Sequence, residues 1–179
     1  MFNPRFDQTY FELFTMEAEF SMNTEQLDRS YREQVKFCHP DRFVAADDRE
    51  KRLSIQYSAL LNQAYACLRE DLPRALYLLE LQGVSKSELN ADGISPVFLM
   101  RQMELREELQ DCSQGDDPGG ALDQMLAHVQ DEITTLTIAL AEAFAQTELK
   151  TAGELVVRLQ FLDKLAREAD ELAVDLMAG

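Results

Sequence analysis

His39, Pro40 and Asp41 stand together in the stretch KFCHPDRF, residues 36–43. A histidine beside a carboxylate is the pairing from which general bases and metal sites are most often built. Both uses demand more than this stretch supplies. A general base needs a nucleophile or substrate pocket in reach, and side chains at i and i+2 across a proline do not converge easily on one atom. Metal ligation needs a cluster, yet the second histidine, His128, lies far along the chain, and Cys38, Cys67 and Cys112 form no CxxC pattern. No catalytic residue, metal or cofactor is expected. Two readings stay open: a capped turn, or a rigid tip shown to a partner.

The elements around the tripeptide decide where it sits. Leu27, Tyr31, Val35 and Cys38 recur at helical spacing from Thr24 to Cys38, after the polar caps Ser21-Met22-Asn23-Thr24. Pro40 must end that helix, because proline has no N–H to donate and pushes its predecessor out of the α region. Asp47-Asp48 open a second helix to about Leu68, with the stripe Leu53, Tyr57, Leu60, Ala64 and Leu68 and with Leu61 and Tyr65 flanking it. Helices joined by so short a loop run antiparallel, which places His39-Pro40-Asp41 at an exposed bend. Opposite the buried stripe of the first helix lie Arg29, Arg32 and Lys36, and Arg42 extends the cluster past the helix end. Taken alone, this basic face fits a solvated helix with pairs such as Arg29–Glu25 and Arg29–Glu33. A short aromatic helix is expected at Gln8–Phe14, and another starts at Pro73 and is closed by Gly83. The stretch SKSELNADGISP reads as a hinge. The expected organisation is residues 1–84, a linker at 85–94, and a second unit at 95–179.

In that second unit, Leu122, Leu126, Val129, Ile133, Leu136, Leu140 and Ala143 alternate in steps of four and three. Leu155, Leu159, Leu162, Ala166, Ala169, Ala173 and Leu176 repeat the pattern. Two such seams joined by a turn near Leu149–Gly153 predict an antiparallel hairpin. A helix from about Ser95 to Cys112, set off by the breaker-rich SQGDDPGG, completes a three-helix bundle. No strand pattern and no Gly-rich phosphate loop occurs, so the fold class is all-α. On the Ser95–Cys112 helix, Phe98, Leu105 and Leu109 suffice as a core stripe. Leu99, Met100, Met103, Glu104, Glu107 and Asp111 spread around its other side. A surplus apolar patch fringed by carboxylates is a candidate partner surface, and methionines suit an adaptable contact. The plainer alternative packs the same side chains under the other two helices.

Bulk properties exclude other classes. The net charge is −16, spread as −4 over residues 1–84 (10 Lys/Arg, 14 Asp/Glu) and −12 over 85–179 (7 and 19). Such a chain lacks the cations that nucleic-acid binding needs. No apolar run approaches the ~18 residues of a membrane span. The opening MFNPRFDQTYFELF is neither a signal nor a transit peptide. Three cysteines without framework spacing suit a reduced, cytoplasmic setting.

The bend and its flanks resemble the J domain of DnaJ-type co-chaperones. The residues that carry this are Tyr31-Arg32, HPDR at 39–42, and LLNQAYACL at 60–68. The resemblance implies a helical hairpin with short flanking helices that presents His39, Pro40 and Asp41 to an ATP-dependent chaperone. Arg29, Arg32, Lys36 and Arg42 would be its electrostatic contact. Cys38 departs from the aromatic residue common before the histidine, which should loosen packing rather than abolish docking. No Gly/Phe-rich linker or CxxCxGxG repeat follows. PRALYLLELQG (73–83), FLMRQMELREEL (98–109) and RLQFLDKL (158–165) are instead similar to the HscB family, J-type co-chaperones of iron–sulfur cluster assembly. That resemblance spans nearly the whole chain and implies two partners, an HscA-type chaperone and an IscU-type scaffold protein. Leu99, Met100, Met103, Glu104, Glu107, Asp111 and Phe161 would grip the scaffold. Met103 and Asp111 replace the family's Leu and Glu, which bears on affinity. The N-terminal CxxC extension of some eukaryotic relatives is absent, as in the bacterial form. A J-type co-chaperone serving a general DnaK-type chaperone and other clients is the alternative.

Overall fold

The computed structural model describes residues 3–85, 89, 95–112, 114–115 and 117–178. Most of the expected linker at 85–94, and Ser113 and Asp116 of the breaker-rich loop, lie outside the described residues. The elements are α1 (Tyr10–Leu13), α2 (Thr24–Cys38), a 3₁₀ turn (Pro40–Phe43), α3 (Asp48–Arg69), α4 (Asp71–Leu81), α5 (Pro96–Cys112), α6 (Pro118–Ala145) and α7 (Leu149–Ala178). Among the described residues no strand occurs, and no helix is long and apolar enough to cross a membrane. The fold is all-α. The chain divides into two compact units, Met1–Leu78 and Leu79–Gly179.

In the first unit, α2 and α3 run antiparallel. Tyr65 donates to Asp28, Tyr31 to Asn62, and Ser54 and Ser58 to Cys38, so positions fall on α3 as they rise on α2. Asn23 caps α2 by accepting the Gln26 N–H, and Asp47 caps α3 by accepting that of Glu50. The buried line of α3 is Ser54, Tyr57, Leu61, Ala64 and Leu68, while Leu53 and Leu60 are only half-buried. A serine sits on the core face because its hydroxyl has a buried acceptor waiting. The first helix is shorter than the expected 8–14: a capping box between Thr9 and Glu12 opens it, and Thr15 in the left-handed region (φ 55) closes it. The next surprise is α4, which begins at Asp71 rather than Pro73. Proline fits the first turn because the N–H groups there have no intrahelical partner. Buried Arg74 then ties the unit together. Its Nε donates to the Phe20 carbonyl (2.9 Å), one Nη to the Leu68 carbonyl (2.7 Å), and the other to Asp71.

The second unit's core joins Leu105 and Cys112 of α5 to Leu122, Met125 and Val129 of α6 and Leu162, Leu165 and Ala169 of α7. Met125 and Leu165 lie outside the two expected seams. They are buried because a third helix packs on the hairpin and widens the apolar stripe each member needs. Leu176, by contrast, is exposed near the C-terminal end of α7. The turn is Gln146–Glu148, not Leu149–Gly153. Thr147 adopts φ 59, its N–H donates to Phe144 and that of Glu148 to Ala143, a Schellman closure built on a β-branched residue. Gly153 is helical and serves packing: a Cβ there would lie 2.8 Å from Leu89 Cδ2.

A left-handed β-branched residue costs about 1–2 kcal/mol, partly offset by the greater entropy that glycine has to lose on folding. Thr147→Gly should therefore stabilise the protein by about 0.5–1 kcal/mol in urea unfolding.

Candidate partner-docking surfaces

The first surface is built by the end of α2. Pro40 leaves the carbonyls of the last turn without the N–H that a continuing helix would bring, and neighbouring side chains supply substitutes. Ser54 donates to the Cys38 carbonyl at 2.6 Å and Ser58 to the same atom at 3.2 Å. Arg42 reaches back to the Lys36 carbonyl (2.8 Å), and the Cys38 thiol lies 3.8 Å from that of Val35. Cys38 is fully buried at the hinge of this arrangement, and His39 is exposed immediately after it. The Asp41 N–H donates to His39 Nδ1 (3.3 Å), while the Asp41 carboxylate stays 3.6 Å from that nitrogen. Both side chains face solvent, so this is a pinned, outward-facing turn rather than a catalytic dyad.

The cations named from the sequence are all exposed, but they differ in their bonds. Arg32 lies 3.9 Å from Asp28, and Arg42 spends hydrogen-bonding capacity on the helix end, where its charge also suits the α2 dipole. Neither expected partner of Arg29 is engaged, and among the described residues neither Arg29 nor Lys36 has a carboxylate within ion-pair distance. Sequence reasoning missed the aromatic support behind this face. Tyr31 and Tyr65 stack with centroids 4.1 Å apart, and Arg69 joins Tyr65 and Asp28. The hydrogen bond to the Asp28 carboxylate raises the Tyr65 hydroxyl above its ordinary pKa. Tyr65 was legible as flanking the core, but its acceptor, a carboxylate on another helix, was not. Phe37 and Val44, both exposed, add an apolar flank that the spacing analysis did not single out.

The second surface lies on α5. Its inner face buries Phe98, Leu105 and Cys112, while Leu99, Met100 and Met103 are 46%, 64% and 64% exposed. Glu104, Glu107 and Asp111 are exposed beside them. These side chains do not pack under the other helices. Phe161 of α7 is half-buried, edge-on to Phe98 (5.9 Å, 90°), with the Arg106 guanidinium 6.0 Å from its ring centre. Its ring thus packs on Phe98 of the inner face of α5.

Known proteins share this architecture. Residues 94–170 match the family model described as the HSCB C-terminal oligomerisation domain. The chain is 36% identical over 162 residues to a co-chaperone protein HscB homolog of Paraburkholderia xenovorans, covering 90% of this chain and 92% of that one. The solved chaperone HscB from Vibrio cholerae superposes with TM-score 0.85 at 34% identity, covering 94% of this chain and 99% of that one. Human co-chaperone protein HscB does so with TM-score 0.88 at 26% identity, covering 96% and 85%.

The paired serines make a measurable prediction. With Ser58 still in place, Ser54→Ala should cost about 1 kcal/mol, whereas Ser54→Ala with Ser58→Ala strands a buried carbonyl and should cost about 3. Urea unfolding of the single and double variants checks this. Strictly additive losses would mean that the two hydroxyls do not share the Cys38 carbonyl.

Proposed function

The chain belongs to the HscB co-chaperone family, and from that premise we propose that it links an HscA-type ATP-dependent chaperone to the IscU-type scaffold protein on which iron–sulfur clusters are built. HscB proteins are co-chaperones rather than enzymes, so ATP hydrolysis belongs to the partner. Residues 1–84 act as the J domain, 85–94 as linker and 95–179 as the scaffold-binding bundle. His39, Pro40 and Asp41 are the signal tip, and Arg29, Arg32, Lys36 and Arg42 steer the chaperone onto it. Leu99, Met100, Met103, Glu104, Glu107, Asp111 and Phe161 hold the scaffold.

The observation that carries this reading is the pinned, outward-facing His39–Asp41 turn at the end of the helix that carries exposed Arg29 and Lys36. Buried Ser54 and half-buried Ser58 fix a turn whose side chains face solvent, as a docking signal requires. Unpaired surface cations add encounter rate and orientation more than raw affinity, and salt should weaken their effect. The adaptor contributes no bond-making group. It stimulates hydrolysis by binding the hydrolysis-competent chaperone state better than the resting one. Holding the scaffold on the same chain raises its effective concentration at the chaperone. Free thiols at Cys38, Cys67 and Cys112 suit work in the reducing cytoplasm.

Single-turnover ATP hydrolysis by the HscA-type chaperone tests the reading, run alone, with this protein, with His39→Gln, and with scaffold added. The wild type should stimulate, scaffold should increase the stimulation, and His39→Gln should abolish it. Stimulation of a DnaK-type chaperone with no scaffold effect would instead favour the general J-protein role. Rates that never change would reduce the tripeptide to an ordinary turn.

A further inference from the structure

The second unit holds a cavity of about 400 Å³ that the seven scaffold-facing residues named above do not explain. Its walls are Val97, Phe98 and Leu105 of α5, Leu136 of α6, and Phe161 and Leu162 of α7. Apolar walls with a few polar groups are the usual make-up of a binding pocket, and this volume lies in the usual range.

The polar groups lining it are not equivalent. Arg101 is bonded to Glu132 and lies 3.5 Å from Glu104, and the Glu132 hydrogen bond holds its pKa above the ordinary value. That cation is already neutralised. Asp131 and Thr135 are exposed, and Thr135 donates to the Asp131 carbonyl within its own helix. Arg158 is different. Its Nε is buried with no hydrogen-bond partner, its guanidinium sits 5.8 Å from the Phe98 ring centre, and among the described residues no carboxylate lies within ion-pair distance. A buried guanidinium N–H left unpaired is costly, and the partly exposed remainder of the same guanidinium lines the cavity, where an acceptor from outside can offset that cost.

Two features say what brings that acceptor. The cavity wall carries a guanidinium with no carboxylate partner among the described residues, and a carboxylate is the group whose geometry matches it. Its mouth is also continuous with the α5 strip: Val97 at the rim is 77% exposed and leads to Leu99 and Met100, and Phe161 belongs to both. An opening that runs into an exposed apolar helix face suits a protein partner better than an enclosed alkyl chain.

We propose that this cavity is a second docking pocket for the scaffold protein, receiving one large apolar side chain of that partner with a neighbouring carboxylate on Arg158. The inference rests on the scaffold-binding reading above and extends it around α5, adding Val97 and Arg158 to the interface. The scaffold segment must then pair an apolar anchor with an acid here, while offering bases to Glu104, Glu107 and Asp111.

Calorimetric titration of the scaffold protein into the full chain tests this, using wild type, Arg158→Met, Arg158→Lys and Thr135→Trp. Thr135→Trp adds bulk at the cavity mouth without removing a wall, and thermal unfolding of each variant verifies that it folds. Arg158→Met should weaken scaffold binding about tenfold, and Thr135→Trp by at least as much. Arg158→Lys should recover part of the loss. Wild-type affinity in both Arg158→Met and Thr135→Trp overturns the pocket and leaves the scaffold reading standing, whereas a wild-type chain that binds no scaffold overturns both. Decanoate is titrated separately. If it binds the wild type and neither variant while scaffold affinity stays constant, the cavity serves a small amphiphile and the proposal falls.

Discussion

The N-terminal unit depends on how the end of α2 is satisfied. A proline after a helix removes the next donor, and the carbonyls of the last turn must find hydrogen bonds elsewhere or pay for burial without them. Here the Cys38 carbonyl takes Ser54 and Ser58 from the antiparallel helix, and Lys36 takes Arg42 from the following turn. These bonds lock α2 to α3 at the point where the chain reverses. They also fix the direction in which His39 and Asp41 leave the core. A helix end that needs donors thus becomes a rigid platform for two exposed polar side chains.

The two candidate surfaces use different physics, which suits different partners. The tip and its cations form a charged, solvated patch that can attract an acidic partner and let it go, since exposed charges contribute little to standing affinity. The α5 strip is apolar at its centre and acidic at its edge, the layout of an interface that holds. In the proposed role, one chain carrying both keeps a client in place while it samples a transient chaperone encounter.

Much of this was legible in the sequence, because the strongest signals there are steric. Pro40 ended α2 at Cys38, and the steps of four and three located α6 and α7. The surplus Leu99, Met100 and Met103 on a helix already supplied with a core stripe were exposed, as such a surplus implies. The misses have a common cause: they depend on what another element brings. Leu53 and Leu60 looked better core residues than Ser54, until the Cys38 carbonyl supplied Ser54 with an acceptor. Gly153 looked like a turn and proved to be a close approach to Leu89, while the true turn placed Thr147 where glycine is the rule. The Arg158 cavity could not be read at all, since it needs three helices to exist.

The central claim is that one chain engages chaperone and scaffold through separate surfaces. Scaffold affinity measured in the His39→Gln protein tests it most directly. The account predicts a dissociation constant within about twofold of wild type, as for independent sites. An affinity that falls together with chaperone stimulation would contradict it, because the tip would then be part of the scaffold site.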